Sequence, residues 1–183
     1  MPLSQALKDT VIKEYVPRYP NKRAALMPAL WLAQEEQGWL SSETLAEVAE
    51  LLDMHPTDVA AIASFYTMFH RRPVGKTLIE VCLNPPCLIN GAQETMRRIC
   101  DRVGLDSAAG HGGATTADGQ YTVRPTECVA ACDKAPAVQV DSRYYGPIWP
   151  EQVDEFLARM ERFNVDGQPA GMPAEPNRRE VRG

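Results

Sequence analysis

Four of the five cysteines in this 183-residue chain fall into two tight pairs, Cys82-x4-Cys87 and Cys128-x3-Cys132, with forty residues between them. That arrangement restricts the fold more than any other feature. Two short loops, each carrying two thiols, have to be presented at one place by whatever lies between. An all-cysteine [2Fe–2S] core needs four thiolates, two on each iron, and a pair four or five positions apart can cap one iron from a single loop. Zinc ribbons also use two cysteine pairs, usually the tighter C-x2-C. The wider gaps favour the two-metal core, with zinc, disulfides and free thiols as the alternatives on spacing alone. The chain reads as a one-electron carrier.

Composition narrows the setting. A net charge of −5 with no Lys/Arg-rich run argues against a nucleic-acid partner. No apolar stretch approaches the length needed to cross a bilayer. Met1 to Thr10 has neither an apolar signal core nor transit-peptide character. A cytosolic protein is expected, where cysteines serve as metal ligands or redox groups more often than as structural disulfides. Membrane contact would come only through another subunit.

Hydrophobic periodicity divides the chain. Residues 1–75 read as a helical domain. Ala24 to Gln37 is a run of good helix formers that Gly38 can end, with Pro28 near its first turn. Leu45, Val48, Ala49 and Leu52 repeat on one helical face behind a Ser42 cap. Thr57 or Asp58 is expected to cap a third helix reaching Phe69, before Pro73 and Gly75 break the pattern. Residues 76–163 alternate differently. Thr77 to Leu83 is a strand ending at Cys82. Ala92, Met96, Ile99, Cys100 and Val103 mark a helix, and Gly104 to Gly119 a loop. Tyr121 to Arg124, Ala137 to Val140 and Arg143 to Tyr145 are strands around the second cysteine pair. Val153, Phe156, Leu157 and Met160 mark a closing helix. The fold class is α+β: an N-terminal helical bundle followed by a thioredoxin-like domain. Residues 164–183, rich in Pro, Gly and Arg, read as an extended tail.

Several stretches resemble a known family, the small [2Fe–2S] subunit of the NADH-oxidising module of respiratory complex I. They are Gln37-Gly38-Trp39-Leu40, Ala63 to Phe69, Pro73-Val74-Gly75-Lys76, Cys82 to Cys87 followed by Asn90-Gly91-Ala92, and Glu127 to Pro136. The resemblance covers residues 10–162. It implies that Cys82, Cys87, Cys128 and Cys132 ligate one [2Fe–2S] cluster in a thioredoxin-like ferredoxin domain. It also implies packing on a larger flavoprotein subunit that carries FMN, the NADH site and a [4Fe–4S] cluster within the peripheral arm of complex I. That location is the cytoplasmic side of the bacterial inner membrane. Related subunits serve NAD-linked hydrogenases and formate dehydrogenases, so these are rival hosts. A zinc-binding docking scaffold is the rival from another class.

Three features depart from the family's pattern. Pro85 and Pro86 stand in the first loop, where small and hydroxyl residues are more usual. They remove backbone donors that could reach a cluster sulfur, which would lower its potential. Ala130 stands where Gly is usual, and Trp149 where a capping Thr is common.

The remaining candidates read as structural. Cys100 shares a helical face with Met96 and Ile99, so a buried thiol is expected rather than a fifth ligand. None of His55, His70 or His111 sits beside a ligand cysteine as a Rieske centre requires. Gly110 to Gly113 lacks the strand–glycine–helix context of a nucleotide loop. Hydride chemistry therefore belongs to a partner. Tyr144, Tyr145 and Trp149, with Trp31 and Trp39, are ordinary packing or interface aromatics.

Overall fold

The computed structural model describes residues 2–106, 113–141 and 143–165, with side chains as far as 160. Its chain divides into two units, Met1–Val74 and Gly75–Gly183.

In the first unit the Ser4 hydroxyl accepts the Leu7 N–H at 3.2 Å and starts α1 (Gln5–Thr10). The helical path continues as a π-turn over Val11–Tyr15 and a 3-10 turn over Val16–Arg18. A 3-10 turn at Lys22–Ala25, capped by Asn21, leads into α2 (Leu26–Gln37). Gly38 ends α2 at φ +79, in the left-handed region where glycine carries no Cβ penalty. The cap of α3 (Ser42–Leu51) is Ser41, one residue earlier than expected: its hydroxyl accepts the Thr44 N–H at 3.1 Å. Leu45, Val48, Ala49 and Leu52 are all buried, as their spacing predicts.

The third long helix also differs from expectation. Pro56 takes the first position of α4 (Pro56–Phe65), where its missing N–H costs nothing, and His55 caps it by accepting the Thr57 N–H on Nδ1 at 3.3 Å. Neither Thr57 nor Asp58 is the cap. The helix stops at Phe65 rather than Phe69. The Ser64 hydroxyl bonds back to the Ala61 carbonyl in the last turn, and Tyr66 leaves with φ −90 and ψ 112. Phe69 then turns inward, edge-on to Trp31 at 6.4 Å. The core of this unit lies where Ala29, Leu30, Val48, Ala49, Val59 and Ala63 meet, each at most 1% exposed.

The second unit is built on a mixed five-stranded sheet in the order β2-β3-β1-β4-β5. The strands are β1 (Thr77–Cys82), β2 (Ala114–Thr115), β3 (Tyr121–Thr126), β4 (Val138–Val140) and β5 (Arg143–Tyr145). β1 pairs parallel with β3 and antiparallel with β4; the outer pairings are antiparallel. Alternation in β1 suggests a half-buried strand, yet all six of its residues are buried. A central strand has neighbours on both edges and cover on both faces.

α5 (Pro85–Ile89) follows the first strand, α6 (Ala92–Val103) makes the parallel crossover from β1 to β3, and α7 (Val153–Val165) closes the unit. The apolar faces of α6 and α7 bury Ile99, Phe156 and Val153 against Ile79, Val81 and Val123. The backbone of α7 runs two residues past the expected start of the tail at 164; residues 166–183 lie outside the described residues, as does His111. No described helix is long and apolar enough to cross a membrane.

Candidate metal centre

The topology itself brings the two cysteine loops together. β3 runs parallel to β1 on one side, and β4 runs antiparallel on the other. The chain therefore leaves β3 and enters β4 at the same edge of the sheet, the edge where β1 ends at Cys82. The connection, residues 127–137, has to cross the end of β1, because two inter-strand spacings of about 4.8 Å separate β3 from β4. Hydrogen bonds tie it down on both sides. The Cys82 N–H reaches the Ala137 carbonyl at 3.1 Å, and the Leu83 N–H reaches the Thr126 carbonyl at 3.3 Å.

The first loop is not irregular, as its two prolines suggest, but the helical turn α5, entered from Asn84. Pro85 and Pro86 fill the first helical positions, where an absent N–H breaks no helical bond. The Cys87 and Leu88 N–H groups both reach the Asn84 carbonyl at 2.9 Å. This turn folds Cys87 back toward Cys82, and both are only 2% exposed. Burial pushes the Cys87 thiol up, against a backbone hydrogen bond from Ala137 that lowers it. The adjacent Cys82 and the charge of Cys132 push it up further. Cys87 thus senses a cysteine from each loop.

The second loop is more open, with Cys128 and Cys132 exposed. Ala130 takes φ +56, the left-handed region that favours glycine, which gives the usual glycine there a physical reason. In that conformation its N–H is aimed at the Cys128 Sγ, 3.4 Å away. Cys132 starts a 3-10 turn through Lys134. Gly146, just past β5, packs against that turn so closely that a Cβ there would lie 2.1 Å from the Lys134 carbonyl oxygen.

These features suit an iron–sulfur group. The donors are all sulfur, they come from two loops at one sheet edge, and backbone N–H groups of Ala130 and Ala137 point at two of the sulfurs. Such N–H···S bonds stabilise thiolate charge. Among the described residues no three His, Cys, Asp or Glu side chains lie close enough together to hold a metal ion, the four cysteines included.

The other candidates lie elsewhere. Cys100 is 3% exposed in the core beneath α6, where burial raises its thiol, with Asp101 and Asp106 adding to the shift. His55 caps α4, and His70 lies in the helical unit, its backbone N–H donated to the Gln34 Oε1 at 2.6 Å. Trp149 donates its backbone N–H to the Gln152 side chain at 3.3 Å, so the 3-10 turn Pro150–Gln152 that leads into α7 is closed at its start without a threonine. Tyr145 stacks edge-on against Phe156 at 5.6 Å, while Tyr144 is half exposed. Two contributors, the Ala137 donor and Gly146, carry almost no signal in the sequence. The Tyr-Gly-Pro stretch after β5 is the one local hint of a tight backbone approach.

Residues 12–161 match the thioredoxin-like [2Fe–2S] ferredoxin family. The chain is similar to an E-type NADH-quinone oxidoreductase subunit, numbered 2, of Rhizobium meliloti (strain 1021). The two are 35% identical over 161 residues that cover 86% of this chain and 93% of the relative. It is 37% identical to the E-type NADH-quinone oxidoreductase subunit of Mycobacterium tuberculosis (strain ATCC 25618 / H37Rv), over 88% of this chain and 62% of that longer one. Among solved structures, a chain of the NAD+-reducing [NiFe]-hydrogenase in the air-oxidized state superposes with a TM-score of 0.63 at 23% identity. That match covers 79% of this chain and 24% of the other, and it is a likeness of fold.

Proposed function

The chain belongs to the thioredoxin-like [2Fe–2S] ferredoxin family, and on that premise we propose that it is the iron–sulfur electron-transfer subunit of an NADH:quinone oxidoreductase. The observation that carries this reading is the meeting of both cysteine loops at the end of β1, with Cys87 against Cys82 and within electrostatic reach of Cys132. Cys82, Cys87, Cys128 and Cys132 hold one [2Fe–2S] cluster. When bound, that group supplies reversible one-electron chemistry without bond making at its ligands.

The residues around it divide the work. Burial of Cys82 and Cys87 keeps water from one side of the site. The Ala130 and Ala137 N–H groups offset negative charge on sulfur. The exposed Cys128 and Cys132 leave the other side open to a donor or acceptor. The partner is the flavoprotein subunit that binds FMN and NADH and carries a [4Fe–4S] cluster, in the peripheral arm on the cytoplasmic side of the membrane. The helical residues 1–75 act as the docking domain, a role supported by Phe65, Tyr66 and Met68, which stay exposed at the end of α4, Phe65 by 77%. The curated relatives support complex I over a hydrogenase as host.

Co-expression with the FMN- and NADH-binding subunit tests this. The two chains should co-purify, and NADH should produce the spin-half EPR signal of a reduced binuclear cluster in the pair but not in the isolated chain. A pair that forms but shows no NADH-dependent signal overturns the assignment.

A further inference from the structure

A charge pair with a buried carboxylate and a partly buried guanidinium lies on the sheet close behind the thiols. Glu80, on the central strand, is 6% exposed. Its register partner on β3 is Arg124, which donates from Nη2 at 2.6 Å and Nε at 2.8 Å to the same carboxylate oxygen, Oε1. Strand alternation puts Glu80 and Cys82 on one face of β1, two residues or about 6.6 Å apart along the strand. The next rung in that direction pairs Cys82 with Thr126, two residues before Cys128. The pair therefore bridges the two strands from which both cysteine loops depart. A further carboxyl group, Asp141, bonds the Leu78 N–H at 3.0 Å and feels the Glu80 charge.

With Glu80 buried and the Arg124 side chain 21% exposed, the pair adds little stability over a well-packed apolar pair, because desolvation of the carboxylate offsets the attraction. Its field does matter at this place. A carboxylate on the thiol face opposes the arrival of an electron, and the guanidinium favours it.

We infer that Glu80 and Arg124 form a potential-setting pair, opposite charges that hold the redox potential of the thiol-bound group at a balance point. The inference rests on the cluster reading above. Both are positioning residues that act through their charge and touch no electron donor.

Opposite charges give opposite signs, which a purely structural role does not. Glu80→Gln keeps the shape and removes the negative charge, so the potential should rise. Arg124→Met leaves Glu80 uncompensated, so it should fall. Each shift should be on the order of tenfold in the electron-exchange equilibrium at an effective dielectric of about 20, and tenfold is about 59 mV for one electron. The double variant should return to within about twofold of the wild type, and Arg124→Lys should hold its potential.

The measurement is an anaerobic, dye-mediated titration of the full chain, read by EPR and visible absorption. Unmoved potentials, or shifts of one sign in both single variants, overturn the inference. If Arg124→Met takes up no cluster, Glu80→Gln decides alone, and an unmoved or lowered potential overturns the inference. A wild type without a cluster signal overturns the cluster reading itself, an outcome distinct from an intact signal with unmoved potentials.

Discussion

Gly146→Ala tests how the end of β5 shapes the second cysteine loop. The added Cβ would sit 2.1 Å from the Lys134 carbonyl oxygen and 2.9 Å from the Lys134 Cβ. Carbon and oxygen rarely approach closer than about 3.0 Å, so the Lys134 backbone has to retreat by roughly 0.9 Å. No flexible side-chain tip is available to absorb the shift, because the atom in the way is backbone. Lys134 and Cys132 share one 3-10 turn, with the Ala135 N–H on the Cys132 carbonyl at 3.3 Å. The displacement therefore passes to Cys132. Metal–ligand distances tolerate about 0.2 Å, several times less than the movement required.

Overpacking of this kind costs about 1–3 kcal/mol. The sheet and helices should survive it while cluster occupancy falls to less than about half. Iron and acid-labile sulfide per chain give occupancy, and urea unfolding of the same preparation gives stability. Gly104→Ala is the control, since its Cβ would meet nothing within 4 Å although its φ of +78 strains any residue but glycine. If Gly146→Ala keeps full iron and wild-type stability, Gly146 does not set the loop.

Three further outcomes follow from the same geometry. Burial raises the Asp141 carboxyl above its ordinary value, with the Glu80 charge adding to the shift. The folded state therefore holds that proton more tightly than the unfolded chain, so stability is full below the ordinary carboxylate value, falls as the pH rises from there through the raised folded value, and stays reduced above it. Asp141→Asn keeps the acceptor for the Leu78 N–H and tolerates φ +53. The variant should be more stable than the wild type at neutral pH and equal to it below the ordinary carboxylate range; urea midpoints at both pH values check this. Cys100→Ala should leave iron, sulfide and EPR unchanged and cost about 1–2 kcal/mol, the mark of a packed thiol. Phe156→Ala removes a fully buried ring stacked on Tyr145 and should cost about 3–5 kcal/mol in thermal or urea unfolding.

The parts of the fold legible in the sequence are those with a local period. The α3, α6 and α7 faces and the strand ending at Cys82 follow from spacing alone, and so does the α+β class. Where two neighbours could serve equally, the sequence misleads by a residue, as with Ser41 and Ser42. Pro85-Pro86 reads as loop, although two prolines also fit the start of a helical turn, and only the turn brings Cys87 back to Cys82. Contacts far apart in sequence left no trace. Glu80 and Arg124 are separated by forty-four positions, and each alone looks like a surface charge. The Gly146–Lys134 approach and the Ala137 donor likewise exist only once β4 and β5 have paired. The cysteine pairs are plain in the sequence, but the reason they meet is topological: β3 and β4 flank β1, and their connection has to cross its end.

One [2Fe–2S] cluster held by Cys82, Cys87, Cys128 and Cys132 underlies both the proposed electron transfer and the inferred role of Glu80 and Arg124. The decisive experiment is anaerobic purification of the full chain and of Cys87→Ser, with iron, sulfide and zinc analysis and EPR before and after dithionite. The wild type should be brown, with two irons and two sulfides per chain, silent when oxidised and showing a spin-half signal when reduced. In Cys87→Ser that signal should be lost or altered. A colourless wild type with stoichiometric zinc, or an unaltered signal in the variant, would contradict it.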